Sequence, residues 1–168
     1  MNITLFAGDI TEAPAEALCT STNPRLSLMM GTGGAVRERG GFEVLRECET
    51  IVEQFGRPLP AGSVHVTSAG SLPYKGVLHC VASGAEHVSS ADIIRICVKN
   101  ALAAADAKGF TTLAMPVFAT GHAHFRFDRS MAVIAETLRA AQTNVREVVI
   151  VVDEEHADDA QQLLSSRA

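Results

Sequence analysis

Short apolar runs alternate along the chain with longer stretches in which apolar residues recur every three or four positions, and this alternation predicts the order of elements. Residues 2–7 (NITLFA) form a first strand that stops at Gly8-Asp9-Ile10-Thr11, where glycine permits a turn and Asp9 or Thr11 can cap the next segment. Beyond Pro14, residues 16–20 read as a second strand. From Phe42 to Phe55 the residues Leu45, Cys48, Ile51, Val52 and Phe55 share one helical face, with Glu43, Arg46, Glu47, Glu49 and Glu53 elsewhere, and Gly56 ends the helix.

Residues 63–67 and 76–82 read as strands, the second nearly continuous in apolar residues and therefore central. Ser89 or Ser90 caps a helix to about Lys108 that buries Ile94, Cys97, Ala101, Ala104 and Ala105, with Gly109 at its C-terminal cap. Residues 111–118 (TTLAMPVF) form another strand, followed by a loop over 119–126. A helix over about 128–143 turns Met131, Ile134, Ala135 and Leu138 inward, residues 146–152 are a last strand, and a closing helix over 154–166 buries Ala160, Leu163 and Leu164.

Strands alternating with helices of this length predict a single α/β domain over 1–168, a three-layer α/β/α sandwich around a mixed central sheet. Ligands of such sheets sit beyond the carboxyl ends of the strands, so three loops compete for a site: residues 8–11, 20–36 and 119–126.

The stretch Leu18–Gly41 organises that expectation. A strand ends in small hydroxyl residues and Asn23-Pro24, and Gly31, Gly33 and Gly34 then form a loop before a helical turn at Ala35-Val36-Arg37-Glu38. Glycines let a ligand approach the backbone, and a helix start offers free N–H groups to an anion. The spacing matches neither G-x-G-x-x-G nor a P-loop, so the residues alone leave a plain structural loop and an anion site both open.

Composition narrows the ligand. With no Trp and one Tyr there is little aromatic surface for stacking successive bases, and a net charge of −5 lacks the basic footprint of a duplex binder. A small ligand or a modified protein fits better. The absence of a basic leader or a run of 18 apolar residues predicts a soluble, cytoplasmic protein with no membrane partner. Cys19, Cys48, Cys80 and Cys97 are scattered through apolar segments without C-x-x-C pairing and read as reduced core residues.

With the loops in order, the sequence resembles a macro domain, the ADP-ribose-binding α/β/α module. Gly8-Asp9-Ile10-Thr11 matches the family's first-strand signature, and Thr20-Ser21-Thr22-Asn23 stands where it has Asn-Ala-Ala-Asn. Gly31-Thr32-Gly33-Gly34 stands for its glycine loop, and Pro116-Val117-Phe118-Ala119-Thr120-Gly121 for its Pro-x-x-Ser-Thr-Gly loop. The run through Gly40-Gly41 looks most like the macro domain fused to a variant histone, a non-hydrolysing reader.

The resemblance implies roles residue by residue. Asp9 would accept from the adenine amino group, with the Ile10 backbone beside it, and Asn23, closing the run that Thr20 opens, would hold the distal ribose. Gly33, Gly34, Ala35 and Val36 would line the diphosphate from one side, and Ala119, Thr120, Gly121, His122, Ala123 and His124 from the other. His156 would replace the aromatic that usually stacks on adenine. Backbone donors clamp a diphosphate without a cation, so no cofactor or metal is expected. His122-Ala123-His124 with Cys19 lacks a telling third-ligand spacing for zinc.

Val36 stands where the family's de-ADP-ribosylating members carry an acid that activates water. This favours binding of ADP-ribose or an ADP-ribosylated macromolecule. The alternative is an ADP-ribosyl hydrolase using Asn23 with His122 or His124 in place of that acid.

Overall fold

The computed structural model describes residues 1–166. Within them six strands form one sheet: β1 (Asn2–Ala7), β2 (Ala17–Thr22), β3 (Val64–Thr67), β4 (Gly76–Val81), β5 (Thr112–Pro116) and β6 (Glu147–Val152). Their spatial order is β1-β6-β5-β2-β4-β3, with β3 antiparallel to β4 and every other pairing parallel. The sheet is therefore mixed, as the chain pattern predicts.

Five α-helices cover it: α1 (Gly31–Gly40), α2 (Phe42–Phe55), α3 (Ala91–Lys108), α4 (Phe127–Ala140) and α5 (Ala157–Ser165). One core layer packs Cys19, Leu78, Cys80, Leu113, Met115 and Ile150 against α3, α4 and α5. The other packs Leu18, Val77, Val81 and Ala114 against Val36 of α1 and Val44 and Cys48 of α2. Successive strand residues point to opposite faces, so one strand such as β2 feeds both layers through Leu18 and Cys19.

Several boundaries differ from the pattern. The glycines read as a loop are the first turn of α1, where Val36 is fully buried and Gly33 abuts Leu28 with no room for a Cβ. Packing of that face outweighs a penalty of about 1 kcal/mol per glycine. The apolar face of α2 is rotated: Val44 is completely buried, Leu45 only partly, and Phe55 is 40% exposed.

The rotation follows from the crossing below it, where Ser71 N–H bonds the Gly40 carbonyl at 2.9 Å and a Cβ on Gly70 would lie 2.0 Å from that oxygen. Only glycine allows this approach, which draws Val44 under the crossing. α4 stops at Ala140, because Ala141 is extended and returns its N–H to Leu138, and the closing helix begins with a 3-10 turn over Glu154–His156.

Candidate functional site

Parallel pairing brings the carboxyl ends of β1, β2, β4, β5 and β6 to one edge of the molecule, so the loops 8–16, 23–30, 82–90, 117–126 and 153–156 meet there. The backbone is unusually constrained in this region. Among the described residues, the non-glycine positions with positive φ are Leu26 (49°), His87 (56°), Ala119 (64°) and His124 (51°), all within these loops. Such conformations cost of order 1–3 kcal/mol each and persist where surrounding structure fixes them.

At one end of the edge, Asp9 closes β1. Its Oδ1 accepts from the Thr11 N–H at 2.8 Å and the Thr11 hydroxyl at 2.6 Å, and Arg39 of α1 lies 3.4 Å from Oδ2. Partial burial pushes the Asp9 pKa up, but the Thr11 hydrogen bonds and the Arg39 charge outweigh it, and the net shift is downward. The carboxylate thus stays charged, its second oxygen facing only Arg39 and solvent. Tyr74 supports the turn, donating to the carbonyls of Ala13 at 2.7 Å and Ile10 at 3.2 Å.

His156 follows β6, the strand beside β1, and stacks on Phe127 at the start of α4 with ring centroids 4.4 Å apart and planes 25° from parallel. Phe127 was invisible as a site residue in the sequence because it reads as an ordinary helix-start hydrophobe.

The middle of the edge is rich in unused donors. At the start of α1 the first helical bond is Gly34 N–H to the Met30 carbonyl at 3.0 Å, and among the described residues nothing accepts from the N–H groups of Gly31, Thr32 and Gly33. Across from them, the N–H groups of Thr120, Gly121, His122 and Ala123 are likewise without partners among the described residues.

Ser21 joins the two segments. Its N–H donates to the Thr32 hydroxyl at 3.0 Å, and its own hydroxyl accepts from Ala119 N–H at 3.1 Å. The β5 loop is braced further by Ser130 donating to the Phe118 carbonyl at 2.7 Å, Thr120 to the Val117 carbonyl at 3.0 Å, and Phe125 N–H to the Ala119 carbonyl at 2.9 Å.

This geometry revises the expected donor set. Ala119 spends its N–H on Ser21 and His124 on the Gly121 carbonyl at 3.0 Å, while Gly34, Ala35 and Val36 lie within the bonded helix. Gly31 and Thr32 replace them as free donors. The Val36 side chain belongs to the core rather than a cleft wall. Thr20 is also withdrawn from the ligand set: it is completely buried, with its hydroxyl 3.1 Å from Nδ1 of His79.

Asn23 sits at the end of β2, where its Oδ1 accepts from the N–H groups of Arg25 at 3.0 Å and Ser27 at 3.3 Å, leaving the side-chain NH₂ to face outward contacts. Next to it, the buried Thr22 hydroxyl has no partner, an exception that a polar ligand atom or water would resolve.

The histidines separate into three settings. His79 is completely buried, and because the Thr67 hydroxyl donates to the Ser68 carbonyl, His79 Nε2 donates to Thr67 at 2.9 Å and Nδ1 accepts from Thr20. Burial foremost, and His65 nearby, push its pKa down to about 3. His65 pairs with Ser63 at 3.0 Å and is lowered by burial. His122 and His124 are exposed on the β5 loop, and His87, read from the sequence as a strand-edge residue, is exposed on the β4 loop and meets His122 edge to face. Cys19 is buried in the core, so it does not join His122 and His124 around a metal.

Other features are structural. Glu16, at the amino ends of the strands, accepts from Lys75 and from Thr111 N–H at 2.7 Å, and these bonds hold its pKa down to about 2. Two shallow hollows of about 290 and 300 Å³ are walled largely by exposed α2 side chains.

A six-stranded mixed sheet between two helical layers, with a glycine-started helix and a braced loop meeting beyond β2, is macro domain architecture. The macro domain sequence profile matches residues 19–134, and the chain belongs to that family. It is 35% identical over 161 residues to a macro domain-containing protein of Streptomyces nogalater, covering 94% of this chain and 88% of the relative. It is also 35% identical over 122 residues to an O-acetyl-ADP-ribose deacetylase of Citrobacter rodentium, covering 71% and 68%. The fold superposes on the Oceanobacillus iheyensis macrodomain with ADPR at a TM-score of 0.89 and 24% identity, covering 97% of this chain and 91% of that one. The Trypanosoma brucei macrodomain in complex with ADP-ribose gives 0.82 and 21%, covering 99% and 68%.

Proposed function

We infer that this macro domain binds ADP-ribose, free or as the modification on a macromolecule, along the edge formed by the carboxyl ends of its strands. The observation that carries this reading is the paired set of unpartnered N–H groups, Gly31 to Gly33 and Thr120 to Ala123, held in register by Ser21. Converging backbone dipoles and a helix N-terminus complement a diphosphate without a cation, so the net charge of −5 is no obstacle.

Asp9 lies to one side of that set with a charged carboxylate able to accept from an exocyclic amino group, and the His156–Phe127 stack beside it offers a planar surface to a purine. Asn23 lies at the β2 end, next to the α1 start, suited to the hydroxyls of a second ribose. Relatives solved with ADPR or ADP-ribose, and one named for a substrate of the same class, support the choice of ligand.

A reader fits better than a hydrolase. The side chain at the family's acid position, Val36, is buried and cannot handle a proton, and Glu38 is exposed on the helix exterior. The glycine run's likeness to the reader domain fused to a variant histone points the same way. The deacetylase relative keeps hydrolysis of a small ADP-ribose ester as the second reading, with His122 or His124 as its base.

Calorimetric titration with ADP-ribose beside AMP and NAD tests the assignment. ADP-ribose should bind with one-to-one stoichiometry and more tightly than AMP. Absence of ADP-ribose binding at millimolar concentration would overturn it.

A further inference from the structure

The sheet order places β2 between β5 and β4, and the loops that follow those two neighbours reach across the end of β2 to touch each other. The contact is made by His87 and His122, whose ring centroids are 4.5 Å apart with planes at 83°. Neither imidazole has a hydrogen-bond partner among the described residues, so both rings offer an uncommitted nitrogen. Both residues are exposed.

The backbone holds both rings forward. His87 sits at φ 56° in a turn closed by its own N–H to the Gly84 carbonyl at 3.2 Å and by Gly84 N–H to the Val88 carbonyl at 2.8 Å. His122 is carried by the turn in which His124 N–H bonds the Gly121 carbonyl at 3.0 Å. Two strained, internally closed turns presenting unpartnered imidazoles to each other are hard to account for by packing alone, since the rings bury little surface.

We propose that His87 and His122 form a two-histidine site for a borderline transition-metal dication of the zinc or nickel class, which clasps the β4 and β5 loops together across the end of β2. A metal holding one nitrogen from each ring at about 2.0–2.1 Å with an angle between right and tetrahedral puts ring centroids roughly 4.5–5.2 Å apart. The observed separation lies at the near end of that range, and exposed rings reorient by simple side-chain rotation. Water or an anionic oxygen of a ligand in the cleft completes the coordination. The site is independent of nucleotide binding, since none of its groups is needed by Asp9 or by the free N–H set of α1.

The rival location is the exposed Asp153, Glu155 and His156 group, whose ligating atoms lie within 4.8 Å of one another. Chelator-treated protein titrated with Zn²⁺, and separately with Ni²⁺, at pH 7.5 in a calorimeter separates the two. One equivalent should bind in the micromolar range. His87→Ala and His122→Ala should each weaken binding by at least the roughly ten-fold that loss of even an outer-shell partner causes, and His156→Ala should leave it unchanged. Because both rings are exposed, each variant should keep the metal-free melting temperature, and in wild type Ni²⁺ should broaden the ring-proton signals of His87 and His122 first. Absence of binding, binding unaltered in His87→Ala and His122→Ala, or loss confined to His156→Ala would overturn the proposal.

Discussion

The hydroxyl of Ser21 accepts the backbone N–H of Ala119 at 3.1 Å, so a side chain on β2 fixes the loop that follows β5. Because the Ser21 N–H also holds Thr32 at the start of α1, one residue sets the spacing of both walls of the cleft. Ser21→Ala should reduce stability by about 0.5–1.5 kcal/mol and weaken ADP-ribose by up to about ten-fold as the walls drift. Urea unfolding and titration of the same sample check both; lowered stability with unaltered affinity would show that the bond serves the fold alone.

Asp9→Ala should weaken ADP-ribose by about 1–3 kcal/mol, the cost of a lost charge-assisted hydrogen bond. The carboxylate pKa is lowered in the folded protein, with Thr11 and Arg39 outweighing burial, so its stabilising contribution is present above the unfolded value near 3.8 and is lost as pH falls below it. Affinity measured between pH 7 and 5 should therefore show no limb from Asp9. Full affinity in the variant would remove Asp9 from the site.

His79 governs a separate pH response. Its folded pKa is depressed to about 3 from 6.5, so the unfolded chain binds the extra proton first and stability falls as pH drops from about 6.5 toward 3. The slope from this group approaches about 1.4 kcal/mol per pH unit. Denaturant titrations across that window should show the decline, and the His79 ring signal should not titrate above pH 5. A His79 signal that shifts near pH 6.5 would contradict the buried, neutral assignment.

All four cysteines are free and buried. Burial pushes Cys48 and Cys97 up to about 12, with neighbouring carboxylates adding to the rise at Cys48 and Cys19 at Cys97; burial raises Cys80 as well. An aromatic disulfide reagent at pH 8 should find almost no reactive thiol in the native protein and four after unfolding. Rapid native labelling of even one would mean that a core layer opens.

Removal of ADP-ribose from glutamate- or aspartate-linked protein should be slight, because no described acid replaces the one missing at Val36. Mass spectrometry of a modified acceptor over time measures it. Robust turnover that falls sharply in His124→Ala or His122→Ala but persists in Val36→Ala would make this an enzyme with a histidine base.

The strands were legible because buried parallel strands write themselves as β-branched apolar runs, such as 146–152 and 76–82. The helical glycines were not, since local propensity argues against a helix over Gly31-Thr32-Gly33-Gly34 and only the burial of Val36 and Gly33 decides otherwise. Asp9, Asn23 and the 119–124 loop stand out by position after a strand. Which N–H groups remain free depends on tertiary bonds from Ser21 and the loop's own turns, and no sequence pattern reports these. His87 escaped notice for the same reason: its partner is chosen by strand order, which places β4 and β5 on either side of β2. The misplaced α2 face traces to the Gly40–Gly70 crossing, a long-range contact that turns the helix toward Val44.

β1 pairs with β6 from Asn2↔Glu147 through Ala7↔Val152. During synthesis the earliest strand therefore waits for the last one: until residues 147–152 leave the ribosome, β1 has no template and Asp9 has no fixed position. Non-local pairing of this kind delays the rewarding contacts behind loop closure. The nascent chain can assemble β2, β4 and β5, with the anion-facing backbone of α1, well before its purine-facing corner exists, so ligand selectivity is the last property of the molecule to mature.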